Sequence, residues 1–260
     1  MFVPILAYHK VQNEFELGAS YTTPRQFERQ IKFLYENGFK SISLEEYVQN
    51  NNHGPRDVII TFDDAYASVF ENAFPILRQY DFTATIFVIT KYVGDWNSWD
   101  YHGNRFRFEH CTWQQIEILA KEGWEIGSHT VSHPNLRSLS LKTLWFELRY
   151  SKDVLENQLN QPIKVMSYPF GSFNSNVIGL VKKAGYEAAC TLGCNYPYDQ
   201  IFPYALFRRG VYRFEPFWVF KTKLTNNYWS HCDDIKQKLI SGLAQSTLFL
   251  RLLRTSIKTT

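Results

Sequence analysis

At 260 residues, 45% hydrophobic and 20% charged, the chain can bury a sizeable core as one large domain or two small ones, and its thirteen glycines and ten prolines exclude collagen-like and disordered types. Twenty-eight basic against twenty-five acidic side chains leave a net charge of +3, too weak to argue for a nucleic-acid partner. The longest uncharged stretch near either end, Leu239 to Leu250, is a dozen residues, against the roughly 20 that a spanning helix needs.

The elements follow from periodicity and punctuation. Val3 to Ala7 reads as a buried strand. It lacks the basic n-region of a signal peptide, so the chain as given is expected in the cytoplasm, unless a leader or a membrane-bound partner lies outside it. Pro24 to Asn37 is helical, with Phe27, Ile31 and Leu34 on one stripe and Gly38 as its stop. A short strand at Lys40–Ser43 and a helix over Leu44–Asn50, capped by Ser43, come next. Asp57 to Phe62 is strongly β-forming; Ser68 to Tyr80 is helical; Phe82 to Ile89 is a buried strand. A helix over Thr112–Glu122 ends at Gly123 and leads into the strand Trp124–Ile126. Ser140 to Asn160 is a long helix with Leu141, Leu144, Leu148 and Leu155 inward. The strand Val165–Tyr168, the helix Asn174–Ala184 and the strand Ala188–Thr191 complete the pattern. No repeat, low-complexity tract or linker divides the chain, so a single domain is expected. Strand–helix alternation predicts βαβ units and an α/β fold with a parallel sheet, in which about seven strands could close into a barrel. In such barrels the chemistry sits on loops at the carboxyl ends of the strands.

Four segments with chemical capacity follow strands. Thr61-Phe62-Asp63-Asp64 carries adjacent carboxylates; one suffices to cap the next helix, so the doublet hints at a cation. His129 and His133 lie four apart, a spacing that on a helical turn puts both imidazoles on one face. Two histidines and one carboxylate make a facial metal site with positions open for water and substrate. In Ser167-Tyr168-Pro169-Phe170-Gly171, Pro and Gly bracket Phe170 and could aim its backbone N–H at a developing oxyanion. The fourth is Tyr8-His9. The plain alternatives are a cap, polar loop histidines, a turn and a structural histidine.

These motifs together resemble the polysaccharide deacetylases, the NodB-homology or family 4 carbohydrate esterases, over about Pro4 to Val211. The resemblance implies a distorted (β/α)7 barrel and metal-dependent removal of N-acetyl groups from amino sugars of an oligo- or polysaccharide or its lipid-linked precursor. It makes Asp64, His129 and His133 the metal ligands, Asp63 the general base and the Phe170 N–H an oxyanion donor. Zinc is the expected ion, with cobalt, nickel, iron or manganese also accepted by such a donor set. Two departures stand out. Ser167 occupies a place where many members carry an Arg that holds the catalytic Asp, and no late Leu-x-His motif supplies the acid. The opening Leu6-Ala7-Tyr8-His9 is similar to the circularly permuted branch that acts on poly-N-acetylglucosamine, which makes His9 the expected acid. In Phe207-Arg208-Arg209-Gly210-Val211 only one arginine can face inward on a strand, and Arg208 is expected to pair with Asp63. Alternatives are an O-acetyl esterase, a small amino-sugar deacetylase or a non-catalytic glycan-binding domain.

Residues 1–235 are expected to form the catalytic barrel and 236–260 a basic amphipathic helix, with Leu239, Leu243, Leu250, Leu253 and Ile257 on one stripe. That helix either docks on the barrel or makes peripheral membrane contact. Lys91 to Cys111 is expected to be a loop over the strand ends that contacts the glycan through its aromatic side chains, or one packed on the barrel wall. Aromatics make up 17% of the chain, most of them expected in a bulky core and some against sugar. Cys111, Cys190, Cys194 and Cys232 are too few for a disulfide scaffold and are expected as free thiols.

Overall fold

The computed structural model describes residues 2–16, 20–50, 52–97, 107–192 and 202–226. Seven parallel strands form a closed ring: β1 (Ile5–Tyr8), β2 (Asp57–Phe62), β3 (Thr85–Val88), β4 (Glu125–Ser128), β5 (Val165–Ser167), β6 (Ala188–Leu192) and β7 (Leu206–Gly210). Each pairs with the next, and β1 closes the ring by pairing with both β7 and β2. This is the expected (β/α)7 barrel, carried by a single domain. The short strand Lys40–Ser41 adds to β2 outside the ring, and Lys10–Val11 pairs with Tyr21–Thr22 just past the end of β1.

The helices that cover the ring are α1 (Pro24–Glu36), α2 (Leu44–Gln49), α3 (Phe74–Gln79), α4 (Trp113–Lys121), α5 (Leu141–Leu159), α6 (Ser175–Lys183) and α7 (Phe217–Lys223). Local chemistry sets their starts. Thr23 with Gln26, and Thr112 with Gln115, form reciprocal capping boxes, while Ser43, Ser140 and Asn174 each accept a backbone N–H in the first turn. Alternation along the strands sorts the core into two parts. Leu6, Tyr8, Ile60 and Phe62 pack outward against helices, Tyr8 meeting Phe27 edge-on at 5.1 Å. Ile5, Ile59, Phe87, Val165, Cys190 and Leu206 belong to a separate buried cluster that Leu44 and Tyr47 of α2 join.

Two expectations need correction. Leu141 is 63% exposed because residues 140–143, the cap and first turn of α5, all face solvent beyond the packed stripe. The segment after Ser68 opens as a π turn (Val69–Ala73) before α3, switching where Pro75 cannot donate to the ladder. Within the Lys91–Cys111 excursion, Tyr92 and Cys111 are buried, so its described flanks are part of the packed structure. Residues 98–106 of that excursion, Cys194, Cys232 and the tail from Lys236 lie outside the described residues. Cys111 and Cys190 are free and buried. Among the described residues, no helix is long and apolar enough to cross a membrane.

Candidate metal and catalytic centre

The carboxyl ends of β1, β2, β4, β5 and β7 bring the singled-out residues together. β1 and β2 pair in register up to Tyr8 and Phe62, and the Asp63 N–H then donates to the Tyr8 carbonyl at 2.9 Å. His9 and Asp63 therefore leave neighbouring strand tips side by side. Asp64 follows, buried and left-handed at φ 70°. From the β4 tip come His129 and His133. Asp64 Oδ1 stands 3.5 Å from His129 Nε2 and 3.6 Å from His133 Nε2, and the three donor atoms all lie within 4.8 Å of one another.

The histidine spacing works by a different geometry from the helical turn that the sequence suggested. The segment is a loop, with Thr130 at φ 70° and His133 at φ 59° folding the second imidazole back onto the first. Such left-handed non-glycine residues cost on the order of 1–3 kcal/mol each and persist where surrounding bonds over-determine them. Here His133 N–H donates to Thr130 Oγ1 at 3.0 Å, and the buried Glu147 of α5 accepts the N–H groups of Val131 and Ser132 at 2.9 Å each and the Ser132 hydroxyl at 2.6 Å. The sequence reading missed Glu147; its one signal was an acid on the inward side of α5. Glu147→Ala strips these backbone donors of their acceptor and is expected to lower stability by about 1–3 kcal/mol in urea unfolding. An unchanged midpoint and slope would contradict this role.

The protonation pattern favours a cation at the convergence. His129 Nδ1 lies 2.8 Å from the Ser167 carbonyl, which can only accept, so Nδ1 carries the proton. Burial, outweighing the nearby Asp63 charge, lowers the His129 imidazolium, so the ring is neutral and Nε2 is a bare lone pair facing Asp64. Burial and the neighbouring His129 hold His133 well below its ordinary value as well. The Nε2 atoms of both rings thus converge on the same carboxylate oxygen, Asp64 Oδ1. Tetrahedral ligands about 2.0–2.1 Å from an ion stand roughly 3.3–3.4 Å apart, close to the 3.5 and 3.6 Å that separate Asp64 Oδ1 from the two imidazole nitrogens. The donor set therefore fits a divalent ion.

Asp63 is held separately. Arg208, inward on β7 and fully buried, donates to Asp63 Oδ1 and Oδ2 at 2.7 Å each, to Thr61 Oγ1 at 3.0 Å and to Ser167 Oγ at 2.7 Å. Arg209 faces the other way and binds the carbonyls of Lys223 and Thr225 at the end of α7. Burial pushes the Asp63 carboxyl up, but the Arg208 guanidinium and its hydrogen bonds outweigh burial and hold it well below the usual carboxylate range. Ser167 thus serves both halves of the site, its carbonyl orienting His129 and its hydroxyl receiving Arg208. The departure at Ser167 has a physical counterpart: a guanidinium from β7 fills the space above a small side chain.

His9 keeps part of its surface in solvent, yet burial lowers its imidazolium to about 4, with Asp63 pulling upward and Arg208, Lys10 and His129 downward. Phe170 is left-handed at φ 58°, and its ring meets His133 at 4.6 Å. Gly171 must remain glycine, because a Cβ there would sit 2.6 Å from the Leu192 carbonyl oxygen. Beside the Asp63–Asp64 turn opens a cleft of about 440 Å³, lined by Tyr66, Ser68, Trp96, Arg107, Phe108 and three glutamates.

Known proteins resemble this chain in sequence and fold. A family model described as polysaccharide deacetylase matches residues 50–189. The Bacillus subtilis (strain 168) protein YxkH is 31% identical over 194 residues, covering 73% of this chain and 64% of its own length. The poly-beta-1,6-N-acetyl-D-glucosamine N-deacetylase of Staphylococcus aureus (strain MRSA252) is 32% identical over 179 residues, covering 64% of this chain and 59% of its own. The chain thus spans about six-tenths of the length of these curated relatives. Among solved structures, the Streptococcus pyogenes deacetylase PplD, in complex with acetate, superposes with a TM-score of 0.76 at 25% identity, over 87% of this chain and 99% of that one. IcaB from Ammonifex degensii shares the fold, with a TM-score of 0.69 at 22% identity over 89% and 95% of the two chains.

Proposed function

This chain belongs to the polysaccharide deacetylase family, and from that premise we propose that it is a metal-dependent hydrolase releasing acetate from N-acetylated amino sugars of a polysaccharide. The observation that carries the reading is the convergence of Asp64, His129 and His133 beside an Asp63 clamped by Arg208. Poly-β-1,6-linked N-acetylglucosamine is the proposed glycan, on the likeness to the staphylococcal enzyme. When bound through Asp64, His129 and His133, a divalent ion, zinc in our reading, supplies Lewis acidity for the acetyl carbonyl and for water.

The chain's own residues supply the rest. Asp63, ionised by its bond to Arg208, keeps a second lone pair on each oxygen and takes a proton from water as the water oxygen adds to the acetyl carbon. The Phe170 backbone N–H donates to the acetyl oxygen as its charge grows. Because Arg208 disfavours a protonated Asp63, the proton moves on readily, and the adjacent neutral His9 has the higher proton affinity. His9 then delivers it to the amine nitrogen as the C–N bond breaks, which leaves acetate and a free amino sugar. Sugar units flanking the scissile one are proposed to lie in the cleft beside the Asp63–Asp64 turn, where the half-exposed Trp96 offers a flat face to C–H groups.

Treatment with a strong chelator followed by dialysis is expected to abolish acetate release from β-1,6-linked N-acetylglucosamine oligomers, and added Zn2+ or Co2+ to restore it. Full activity in chelated, metal-free protein would overturn the metal reading. Glycan binding without acetate release from N- or O-acetylated sugars, at any metal loading, would mark a binding domain instead.

A further inference from the structure

We propose that His110 is a positioning residue that sets the direction of Asp64 through a hydrogen bond to the Asp64 backbone; this rests on the reading of Asp64 as a metal ligand. His110 comes from the excursion after β3, far in sequence from every motif. Its Nδ1 lies 2.6 Å from the Asp64 carbonyl oxygen. A carbonyl can only accept, so Nδ1–H donates. The excursion is stitched to the segment that follows Asp64: Tyr66 and His110 form an antiparallel bridge, the Ala67 N–H donates to Glu109 O at 2.8 Å and the Cys111 N–H to Ala65 O at 2.7 Å.

The anchored segment needs such support. Asp64 and Ala65 are consecutive left-handed non-glycine residues, at φ 70° and 52°. The His110 bond fixes the peptide plane between them, and so the direction in which the Asp64 Cα–Cβ bond leaves the chain. The His110 ring stacks between Tyr66 at 4.8 Å and Tyr92 at 5.5 Å and is 3% exposed. Ring stacking alone would be served equally by Phe. What Phe lacks is the donor at the Nδ1 position, and that donor reaches the backbone of the one carboxylate among the three converging groups.

Asn and Gln separate the two roles, because an Asn amide nitrogen overlays the Nδ1 position and a Gln amide nitrogen overlays Nε2. Zn2+ affinity of the full chain, measured by competition with a chromophoric chelator, is expected to fall about 10–100-fold in His110→Gln and His110→Phe, the range typical for loss of a group that orients a metal ligand. His110→Asn is expected to stay within about threefold of the parent. The visible spectrum of the Co2+-loaded protein should change in Gln and Phe and be retained in Asn. Parent-like Zn2+ affinity in a folded Gln or Phe variant overturns the inference while leaving the metal reading intact. Should neither variant fold, Asn decides: a tenfold loss of affinity there overturns it. Absence of Zn2+ and Co2+ binding by the parent protein would overturn both.

Discussion

Asp63→Asn is expected to lower kcat for acetate release by about 10²–10⁴-fold, the usual worth of a positioned general base. An amide cannot take the proton that the carboxylate takes. Asp64, His129 and His133 are untouched, so Zn2+ affinity should stay near that of the parent. Activity within tenfold of the parent would remove Asp63 from the base role. The same substitution also leaves the Arg208 guanidinium buried without its carboxylate. A drop in stability is therefore expected beside the drop in rate, and the second experiment separates the two.

Arg208→Met is expected to cost about 3–5 kcal/mol, because one partner of a fully buried, bidentate pair is left charged and uncompensated. The pH dependence gives it a signature. In the parent, Arg208 holds the Asp63 pKa below its unfolded value, so the contribution of the pair is present above the ordinary carboxylate range and is lost as pH falls through the depressed value. In the variant the guanidinium no longer offsets burial, so the Asp63 pKa rises and the variant loses less stability than the parent as pH falls. The gap in melting temperature between the two proteins should narrow on acidification from pH 7. A constant gap would deny the coupling. The double substitution Asp63→Leu with Arg208→Met should recover most of the lost stability and no activity, because paired apolar groups replace a buried ion pair at little cost.

Much of the barrel is written in local patterns. Asp57 to Phe62 can hardly be anything but a strand, and Thr23, Ser43, Thr112, Ser140 and Asn174 cap helices through contacts within three residues. Those are short-range effects, visible wherever the side chains fall in order. The rule that chemistry follows strands is likewise topological; it singled out Asp63, Asp64, His129, His133, Phe170 and His9, and of these the structure brings Asp64, His129 and His133 within 4.8 Å of one another. Strand alternation left one of two arginines to face the interior, but which one depended on register with β1 and β6, and the pairing of Leu6 with Arg209 settles it.

What the sequence by itself determined is the alternation of elements, their caps and the residue types at the strand tips, because these depend on neighbours along the chain. Only the tertiary structure decided how far apart those tips stand, that Arg208 reaches Asp63 across the barrel, and that Glu147 and His110 bond to the backbone around His133 and Asp64 from distant elements. The separations in sequence run from 15 to 145 residues, and no periodicity carries information over them. Closure of the ring is the physical cause: it brings the ends of five separate strands into one small buried volume, where burial and charge then set which group holds a proton.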